Sequence, residues 1–361
     1  MQGTYIEVNL KKIKKNICLI KEEVHNKPMI MGIVKGNAYG HGLVEVSKSI
    51  ENDVDYFGVG FLEEGIELRT AGIKKPILLL SPFFDKRILD YNIIPTVDSI
   101  KTLYQLYRMA VDNHTNINFH LKIDTGMNRF GLKEEVKEFF EFYEKQDKVK
   151  MIGVYSHFAT TMRNRKKVLY QWNRFVNVIE FIKSRGIENC IFHIANSEIA
   201  LDFPEARLDM IRVGNALYGK CNSIKNIGLQ QVGRLKTPIV AVRSIKKGEY
   251  IGYSFSYKAK RNMTIGIIPI GTKHGFTLKR TPNSIKDIFL DFLRTVYKYM
   301  KAKEVYFGNI PLRIVGKVGM QFSAVDITDY PNIKEGSFLE IKTPILFINE
   351  NIKIRYYEGE D

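Results

Sequence analysis

Residues 28–42 read PMIMGIVKGNAYGHG, an apolar run that ends in a lysine and leads into a glycine-rich turn. Apolar residues at helical spacing begin directly after Gly42, so this stretch predicts a strand, a loop and a helix, which form one βα unit. Seven similar apolar or β-branched runs follow, and helical stretches separate most of them. The eight predicted strands lie at 29–34, 56–59, 77–80, 93–97, 117–123, 151–156, 190–194 and 208–213.

Eight βα units within roughly 215 residues predict a (β/α)8 barrel of the TIM type, which we assign to residues 10–228. After that point short alternating runs with glycine turns predict a smaller, mainly antiparallel β domain over 229–361. An alternating strand at 4–8 is expected to join this second domain. The amphipathic stretch at 284–300 is expected to be a helix inserted into it.

Two connections of the barrel carry less regular patterns. The third connector, 83–90, has the weakest helical spacing of the set. The helix after the fourth predicted strand places Leu103, Leu106 and Met109 on one side, and Asp98 is predicted to be its N-cap.

Composition and charge exclude several classes of protein. With 45% hydrophobic residues, 22 Phe and 19 Tyr, the 361-residue chain is expected to fold rather than remain disordered. The apolar runs have the length of strands and the N-terminal residues are charged, so we expect no membrane span and no signal peptide. Three cysteines without a CxxC pair fit the reducing cytoplasm. The net charge of +16 comes from scattered lysine pairs without an aromatic platform, so no nucleic-acid binding is expected.

Reactive residues follow several predicted strands, and the carboxyl ends of barrel strands form the working face of the fold. Lys35 ends an apolar strand, where a lowered pKa would make its amine a nucleophile toward an aldehyde. The loops after the last two strands are where barrels commonly hold a phosphate. A Schiff-base lysine opposite a phosphate pocket is what pyridoxal 5′-phosphate (PLP) requires. The residues expected at this mouth are Lys35, 124–129, His157, Asn196, Ser197, Arg212, Gly214 and Asn215.

Each of these residues taken alone has a purely structural explanation. An isolated lysine after a strand usually extends its amine to solvent. His157 alone would be read as a hydrogen-bonded barrel histidine. Tyr253 is one of 19 tyrosines and would be read as a strand-packing residue.

Six motifs follow one another along nearly the whole chain: VKGNAYGHG (34–42), HLKIDTGMNRFG (120–131), SHFAT (156–160), HIANSE (193–198), MIRVGNALYG (210–219) and GYSFSY (252–257). In this order they resemble the alanine racemases, PLP-dependent enzymes of fold type III. VKGNAYGHG is similar to the PLP-lysine signature of that family, with Gly36 where alanine is usual. The resemblance implies a racemase of small amino acids.

The resemblance also implies roles for individual residues. Lys35 would hold PLP and act as one base, and Tyr253 of the other subunit of a head-to-tail homodimer would be the second base. His157 would hydrogen-bond this tyrosine and link it to Arg212, which would face the pyridine nitrogen. Arg129 would bind the substrate carboxylate, a task suited to a guanidinium fork. Further implied cofactor contacts are Tyr39, Asn196, Ser197, Gly214, Asn215 and Tyr357, with Met320 beside the substrate and Lys122 carbamylated in some members.

The chain departs from the family pattern around the expected substrate corridor. It has Thr272-Lys273-His274 where Tyr-Ala-Asp is usual, Gly319-Met320-Gln321 where Cys-Met-Asp is usual, and Met162 where an acid is expected. These changes mark a divergent member and leave the PLP residues in place. A neutral or basic corridor disfavours basic substrates, so small neutral amino acids are expected.

Three functions therefore remain to be separated. The first is a PLP-dependent racemase of alanine, with serine as a further small neutral candidate, supplying D-alanine for cell-wall precursors. The second is a non-catalytic PLP-binding relative with a carrier or regulatory role, although single-barrel carriers lack a β domain. The third is a metal-dependent barrel hydrolase using His120, His157 and His193, for which an HxH pair and a carboxylate ligand are missing.

Overall fold

The structure, a computed structural model, describes residues 3–133, 135–276, 278, 288–290, 292–293 and 304–359. The chain divides into two compact units. Leu10–Val232 form the first, here called the barrel unit, and Met1–Asn9 with Gly233–Asp361 form the second, here called the β unit. Within the described ranges, no helix has the length and apolar character needed to cross a membrane.

The barrel unit contains eight parallel strands that alternate with helices, as the pattern of apolar runs predicts. After strand β1 (Tyr5–Asn9), which belongs to the β unit, the barrel strands are β2 (Met29–Ile33), β3 (Tyr56–Val59), β4 (Ile77–Leu79), β5 (Thr96–Val97), β6 (Ile117–Lys122), β7 (Val149–Tyr155), β8 (Ile191–His193) and β9 (Met210–Val213).

The eight strands close into a ring. Strands β4-β3-β2-β9 form one parallel sheet and β5-β6-β7-β8 form another. Parallel bridges from Leu78 to Ile94 and from Asn196 to Arg212 join the two sheets at both seams. The prediction of a TIM-like barrel is thereby confirmed, and the carboxyl ends of all eight strands lie at one mouth.

Helices surround the strands, and the longer ones bury an apolar face. In α1, residues Leu10, Ile13, Ile17 and Ile20 are buried at helical spacing. The third connector contains only one helical turn, consistent with its weak pattern. The helices are α1 (Leu10–Glu23), α2 (Lys35–Gly40), α3 (Leu43–Ile50), α4 (Leu62–Thr70), α5 (Arg87–Asp90), α6 (Ile100–Asp112), α7 (Val136–Tyr143), α8 (Arg165–Ser184) and α9 (Ser197–Asp202).

The N-cap predicted for α6 is wrong by one residue. The Ser99 hydroxyl accepts the backbone N–H of Thr102 at 3.1 Å and caps the helix. The Asp98 carboxylate instead accepts the Thr102 hydroxyl at 2.8 Å. Both side chains satisfy groups of the first turn, so sequence alone could not decide which of them occupies the cap position.

The β unit is built around one nine-stranded sheet, in the order β11-β14-β17-β16-β15-β18-β10-β1-β19. All neighbours are antiparallel except β1 and β19, which run parallel. β1 thus lies within this sheet, between β10 and β19. Beyond β1, the strands are β10 (Gly233–Pro238), β11 (Ala241–Ile245), β12 (Tyr250–Ile251), β13 (Tyr257–Lys258), β14 (Met263–Ile268), β15 (Val305–Phe307), β16 (Ile310–Val315), β17 (Ser323–Asp326), β18 (Phe338–Ile341) and β19 (Lys353–Tyr357).

The mainly antiparallel character predicted for residues 229–361 is confirmed by this sheet. The helix expected at 284–300 lies largely outside the described residues, although 288–290 and 292–293 within it are helical.

Candidate active site

A cavity of about 490 Å³ lies in the barrel unit at the carboxyl ends of the strands. It brings together nine residues that the sequence points to: Lys35, Tyr39, Arg129, His157, Asn196, Ser197, Arg212, Gly214 and Asn215. The remaining lining residues are Ile33, Gly60, Phe61, Leu80, Ser81, Phe83, Lys122, Phe130, Tyr155 and Glu198. Tyr253, Met320 and Tyr357 belong to the β unit.

Lys35 stands at the start of a left-handed turn. Residues 36–39 have φ between 52° and 63°, a region that costs a residue with a side chain about 1–2 kcal/mol. The Glu64 carboxylate accepts the backbone N–H groups of Gly36 at 2.6 Å and of Gly60 at 2.7 Å, which ties the turn to the next βα loop. The Asn37 side chain accepts the N–H of Leu43 at 2.8 Å and closes the other end.

The Lys35 amine is partly buried and lies near two positive charges. Burial is the main cause that lowers its pKa, and the guanidinium groups of Arg129 and Arg212 lower it further. The Glu64 carboxylate acts in the opposite direction. A larger share of this amine is therefore unprotonated at neutral pH than of an exposed lysine, which makes it a better nucleophile.

Arg212 is a buried cation held by five hydrogen bonds. Its Nη1 group donates to His193 Nδ1 at 3.0 Å and to the His193 carbonyl at 3.1 Å. Its Nη2 group donates to His157 Nδ1 at 3.1 Å and to the carbonyls of Ser156 at 2.6 Å and Ile194 at 3.0 Å. Burial lowers the pKa of Arg212 to about 10, so it remains charged at neutral pH.

One donor of this guanidinium remains available. The Arg212 Nε–H has no hydrogen-bond partner among the described residues, and Arg212 lines the cavity. This N–H can therefore donate to an acceptor that a ligand in the cavity would supply.

His157 is neutral and has a defined tautomer. Burial is the first cause that lowers its pKa well below the ordinary value, followed by the nearby cation of Arg212. Since His157 Nδ1 accepts an N–H from Arg212, its one proton must be on Nε2. His157 therefore offers an N–H donor on its other side.

A group of neutral donors meets near the ends of β8 and β9. The Ser197 hydroxyl accepts the Gly214 N–H at 3.1 Å, which leaves its own proton free to donate. A side chain at Gly214 would have its Cβ 2.7 Å from the Tyr39 phenol oxygen and would displace that phenol. Burial raises the pKa of Tyr39 to about 12, and the phenol thus keeps its proton as a donor. Hydroxyl and backbone donors of this kind suit a phosphate.

The charge in the cavity also favours an anion. Lys35, Lys122, Arg129 and Arg212 line it, with Glu198 as the single carboxylate among the lining residues. Lys122 lies 5.4 Å from the Tyr155 ring centre and, mainly through burial, has a pKa lowered to about 8. A cavity with such an excess of cations attracts anionic ligands.

The three histidines of the metal hypothesis are engaged otherwise. Arg212 takes the lone pairs of His157 and His193, and His193 Nε2 lies 3.0 Å from His120 Nδ1. A metal ion would need those same lone pairs and would stand beside a cation. In the described part of the chain, no group of three or more His, Cys, Asp or Glu side chains is arranged to hold a metal.

Two of the three candidate residues of the β unit are exposed to solvent. Tyr253 is 71% exposed and Met320 is 61% exposed, whereas Tyr357 is half-buried at the end of β19. The two runs that depart from the family pattern contact each other, because the N–H groups of Thr272 and Lys273 donate to the carbonyls of Gly319 and Met320, each at 3.0 Å.

Sequence reasoning missed several residues of the site. Glu64 gave no signal beyond an acidic residue in the first turn of a helix, and it was not singled out. The apolar and aromatic walls were missed as well because such residues are common in any barrel. These residues are Phe61, Leu80, Phe83, Phe130 and Tyr155.

Comparison with known proteins finds one family. Residues 8–222 match the alanine racemase N-terminal domain, and residues 232–354 match the alanine racemase C-terminal domain. Alanine racemase 2 of Clostridium acetobutylicum is 36% identical over 283 residues, covering 75% of this chain and 71% of that protein. Alanine racemase 1 of Caldanaerobacter subterraneus subsp. tengcongensis is 32% identical, covering 93% and 84% respectively. The structure of alanine racemase from Clostridium difficile 630 has a TM-score of 0.85 at 27% identity, covering 99% of this chain and 96% of that chain.

The buried histidines predict a specific pH dependence of stability. Burial lowers the pKa of His120 to about 3, so below about pH 6.5 the unfolded chain binds a proton that the folded chain does not. The free energy of unfolding should therefore decrease as the pH is lowered below about 6.5. His120→Asn should reduce the slope of this dependence by about 1.4 kcal/mol per pH unit.

Denaturant unfolding between about pH 6 and 4, followed by the fluorescence of Trp172 in α8, measures this slope. His114→Asn, at an exposed position, is the matched control for the loss of one imidazole. Parallel curves for the wild type and His120→Asn would contradict the prediction.

Proposed function

This chain belongs to the alanine racemase family, and we propose that it is a PLP-dependent racemase that interconverts L- and D-alanine. The observation that supports the cofactor best is the unpartnered Arg212 Nε–H in the same cavity as the Lys35 amine and the donors around Gly214. PLP has a matching group for each: an aldehyde for the amine, a ring nitrogen for the Nε–H and a phosphate for the donors around Gly214. When bound, it supplies an aldehyde for the amine and an electron-withdrawing ring that stabilises a carbanion at the α-carbon.

The residues of the cavity divide into attachment and recognition. Lys35 would hold the cofactor and exchange a proton with the α-carbon on one face. Arg129 would bind the substrate carboxylate through its two parallel N–H donors. Lys122, beside it, is the lysine that the family resemblance marks for carbamylation. The phosphate contacts proposed are Tyr39, Asn196, Ser197, Gly214, Asn215 and, from the β unit, Tyr357.

Arg212 would set the reaction type. With a pKa of about 10, its guanidinium keeps its protons at neutral pH and donates to the ring nitrogen without protonating it. An unprotonated ring nitrogen draws less charge away from the α-carbon. The proton therefore returns to that carbon in preference to other positions, which favours racemisation over transamination.

Inversion needs a second base on the opposite face, and we assign this role to Tyr253. A phenol acts as a base only as its anion, which is scarce at neutral pH unless a donor stabilises it. The Nε2–H of His157 is such a donor. Tyr253 is exposed in the single chain, which fits the proposal that it enters the cavity of the other subunit in a head-to-tail homodimer.

Small neutral amino acids suit the residues of the β unit. Lys273 and His274 stand in place of an Ala-Asp pair, and Gln321 stands in place of an Asp. These runs therefore lack the acidic groups that would attract a basic side chain. Alanine is the preferred substrate in this proposal and serine the second. We propose a cytoplasmic enzyme that supplies D-alanine for cell-wall precursors. A non-catalytic PLP-binding role is not favoured, since the β unit with Tyr253 is retained.

Proton exchange at the α-carbon tests the racemase directly. In heavy water the PLP-loaded protein should wash deuterium into both L- and D-alanine, and Lys35→Ala should lower the rate by at least about a thousandfold. Mass spectrometry or proton NMR of the recovered amino acids measures the exchange. If PLP is bound but alanine, serine and other small neutral amino acids stay undeuterated, the protein is a non-catalytic PLP carrier and the proposal fails.

Mixing two inactive variants tests whether the sites are composite. Lys35→Ala and Tyr253→Phe impair different bases, so a heterodimer with shared sites contains one site in which both bases are intact. After dissociation and reassociation of an equal mixture, about a quarter of wild-type racemisation should return. No recovery beyond the sum of the separate variants would show that both bases come from one chain, which would rule out the shared sites.

A further inference from the structure

Arg212 is connected through His193 to a further buried histidine, His120, which does not line the cavity. His120 in β6 lies behind His193 in β8, with 3.0 Å between His120 Nδ1 and His193 Nε2. His193 Nδ1 in turn accepts from Arg212 Nη1 at 3.0 Å. Both histidines are 0% exposed, and His120 is absent from the cavity lining. The three side chains form a linear series of hydrogen bonds that ends at His120.

The series has only one consistent arrangement of protons. Arg212 can only donate, so His193 Nδ1 must be the acceptor and the His193 proton must be on Nε2. That N–H then donates to His120 Nδ1, so the proton of His120 is on its own Nε2. In the opposite tautomer, His193 would direct an N–H against an N–H of Arg212. If either histidine carried a proton on both nitrogens, two N–H groups of the series would again be directed at each other.

The fold reserves space for the His120 ring. A Cβ atom at Gly153 in the neighbouring strand β7 would lie 2.3–2.7 Å from three atoms of that ring, so only glycine allows it to fit. The pairing register of β6 and β7 also shifts between Phe119 and His120. On the other side, the Tyr155 ring stacks against His193 with centres 5.0 Å apart and planes inclined by 13°.

His120 is an expensive residue for this place. Its Nε2 is buried without a hydrogen-bond partner among the described residues. An apolar side chain would fill the same space without this unpaired Nε2–H, so packing alone does not explain a histidine here.

We propose that His120 is a positioning residue: it accepts the Nε2–H of His193, fixes the tautomer of His193 and so fixes the orientation of Arg212. Without an acceptor at this place, the His193 proton can move to Nδ1 and repel Arg212. The Nε–H of Arg212 would then lose its fixed direction into the cavity. The consequence for turnover rests on the proposed function, whereas the proton arrangement itself does not.

Two variants separate the acceptor from the volume it occupies. His120→Asn places an amide oxygen near the position of Nδ1 and should keep the series intact. His120→Leu removes the acceptor while filling the space. We expect His120→Leu to lower kcat for alanine racemisation about tenfold with little change in KM, and His120→Asn to restore most of it. The two variants should unfold at similar denaturant concentrations, because each keeps the site filled.

Imidazole nitrogen NMR of protein with 15N-labelled histidine reads the tautomers without any substrate. The seven histidines are assigned with single variants. In the wild type and in His120→Asn, His193 should be neutral with its proton on Nε2 at neutral pH. In His120→Leu, the His193 signals should show the Nδ1–H form or a mixture of both tautomers.

Two results would overturn the proposal: a wild-type His193 with its proton on Nδ1, or a His120→Leu protein with unchanged tautomer and unchanged kcat. If the tautomers are as expected but the wild type does not racemise alanine, the proposed function fails and the assignment of His120 to His193 stands. If the wild type racemises alanine and the tautomers differ from those expected, only the role of His120 fails.

Discussion

The buried guanidinium of Arg212 is the constraint on which the rest of the site depends. A charge inside a barrel is tolerated only when its hydrogen-bonding groups are satisfied. Three backbone carbonyls and two histidine nitrogens, at the ends of β7 and β8, accept hydrogen bonds from its Nη1 and Nη2 groups. Since Arg212 can only donate, both histidines must present a lone pair to it. The protonation of the whole group therefore follows from one side chain.

A second constraint acts at Lys35, where the backbone of the following turn is strained. Asn37, Ala38 and Tyr39 all have positive φ, at about 1 kcal/mol or more each. The Glu64 carboxylate holds this turn by its hydrogen bond to Gly36. The turn sends the Tyr39 phenol toward Gly214 while Lys35 stays at the end of its strand. One strained turn thus positions both the attacking amine and a phosphate donor.

The barrel could be read from the sequence because buried parallel strands appear as short apolar runs, and residues directly after such runs must share one mouth. The left-handed turn could not, because Ala38 and Tyr39 are residue types that rarely adopt positive φ. The pairing of His120 with His193 joins positions 73 residues apart, which no local pattern contains. In the β unit, β10 and β19 give a weak strand signal, because Pro238 and the exposed Lys353 and Arg355 interrupt their apolar pattern. The roles of Tyr253, Met320 and Tyr357 stay predictions from the family resemblance.

The protonation of the cofactor ring tests the central role of Arg212 most directly. Protein loaded with PLP that is 15N-labelled in its ring can be measured by NMR at neutral pH. The account predicts an unprotonated ring nitrogen in the wild type and a protonated one in Arg212→Glu, where a carboxylate replaces the fixed cation. A protonated ring nitrogen in the wild type would contradict it.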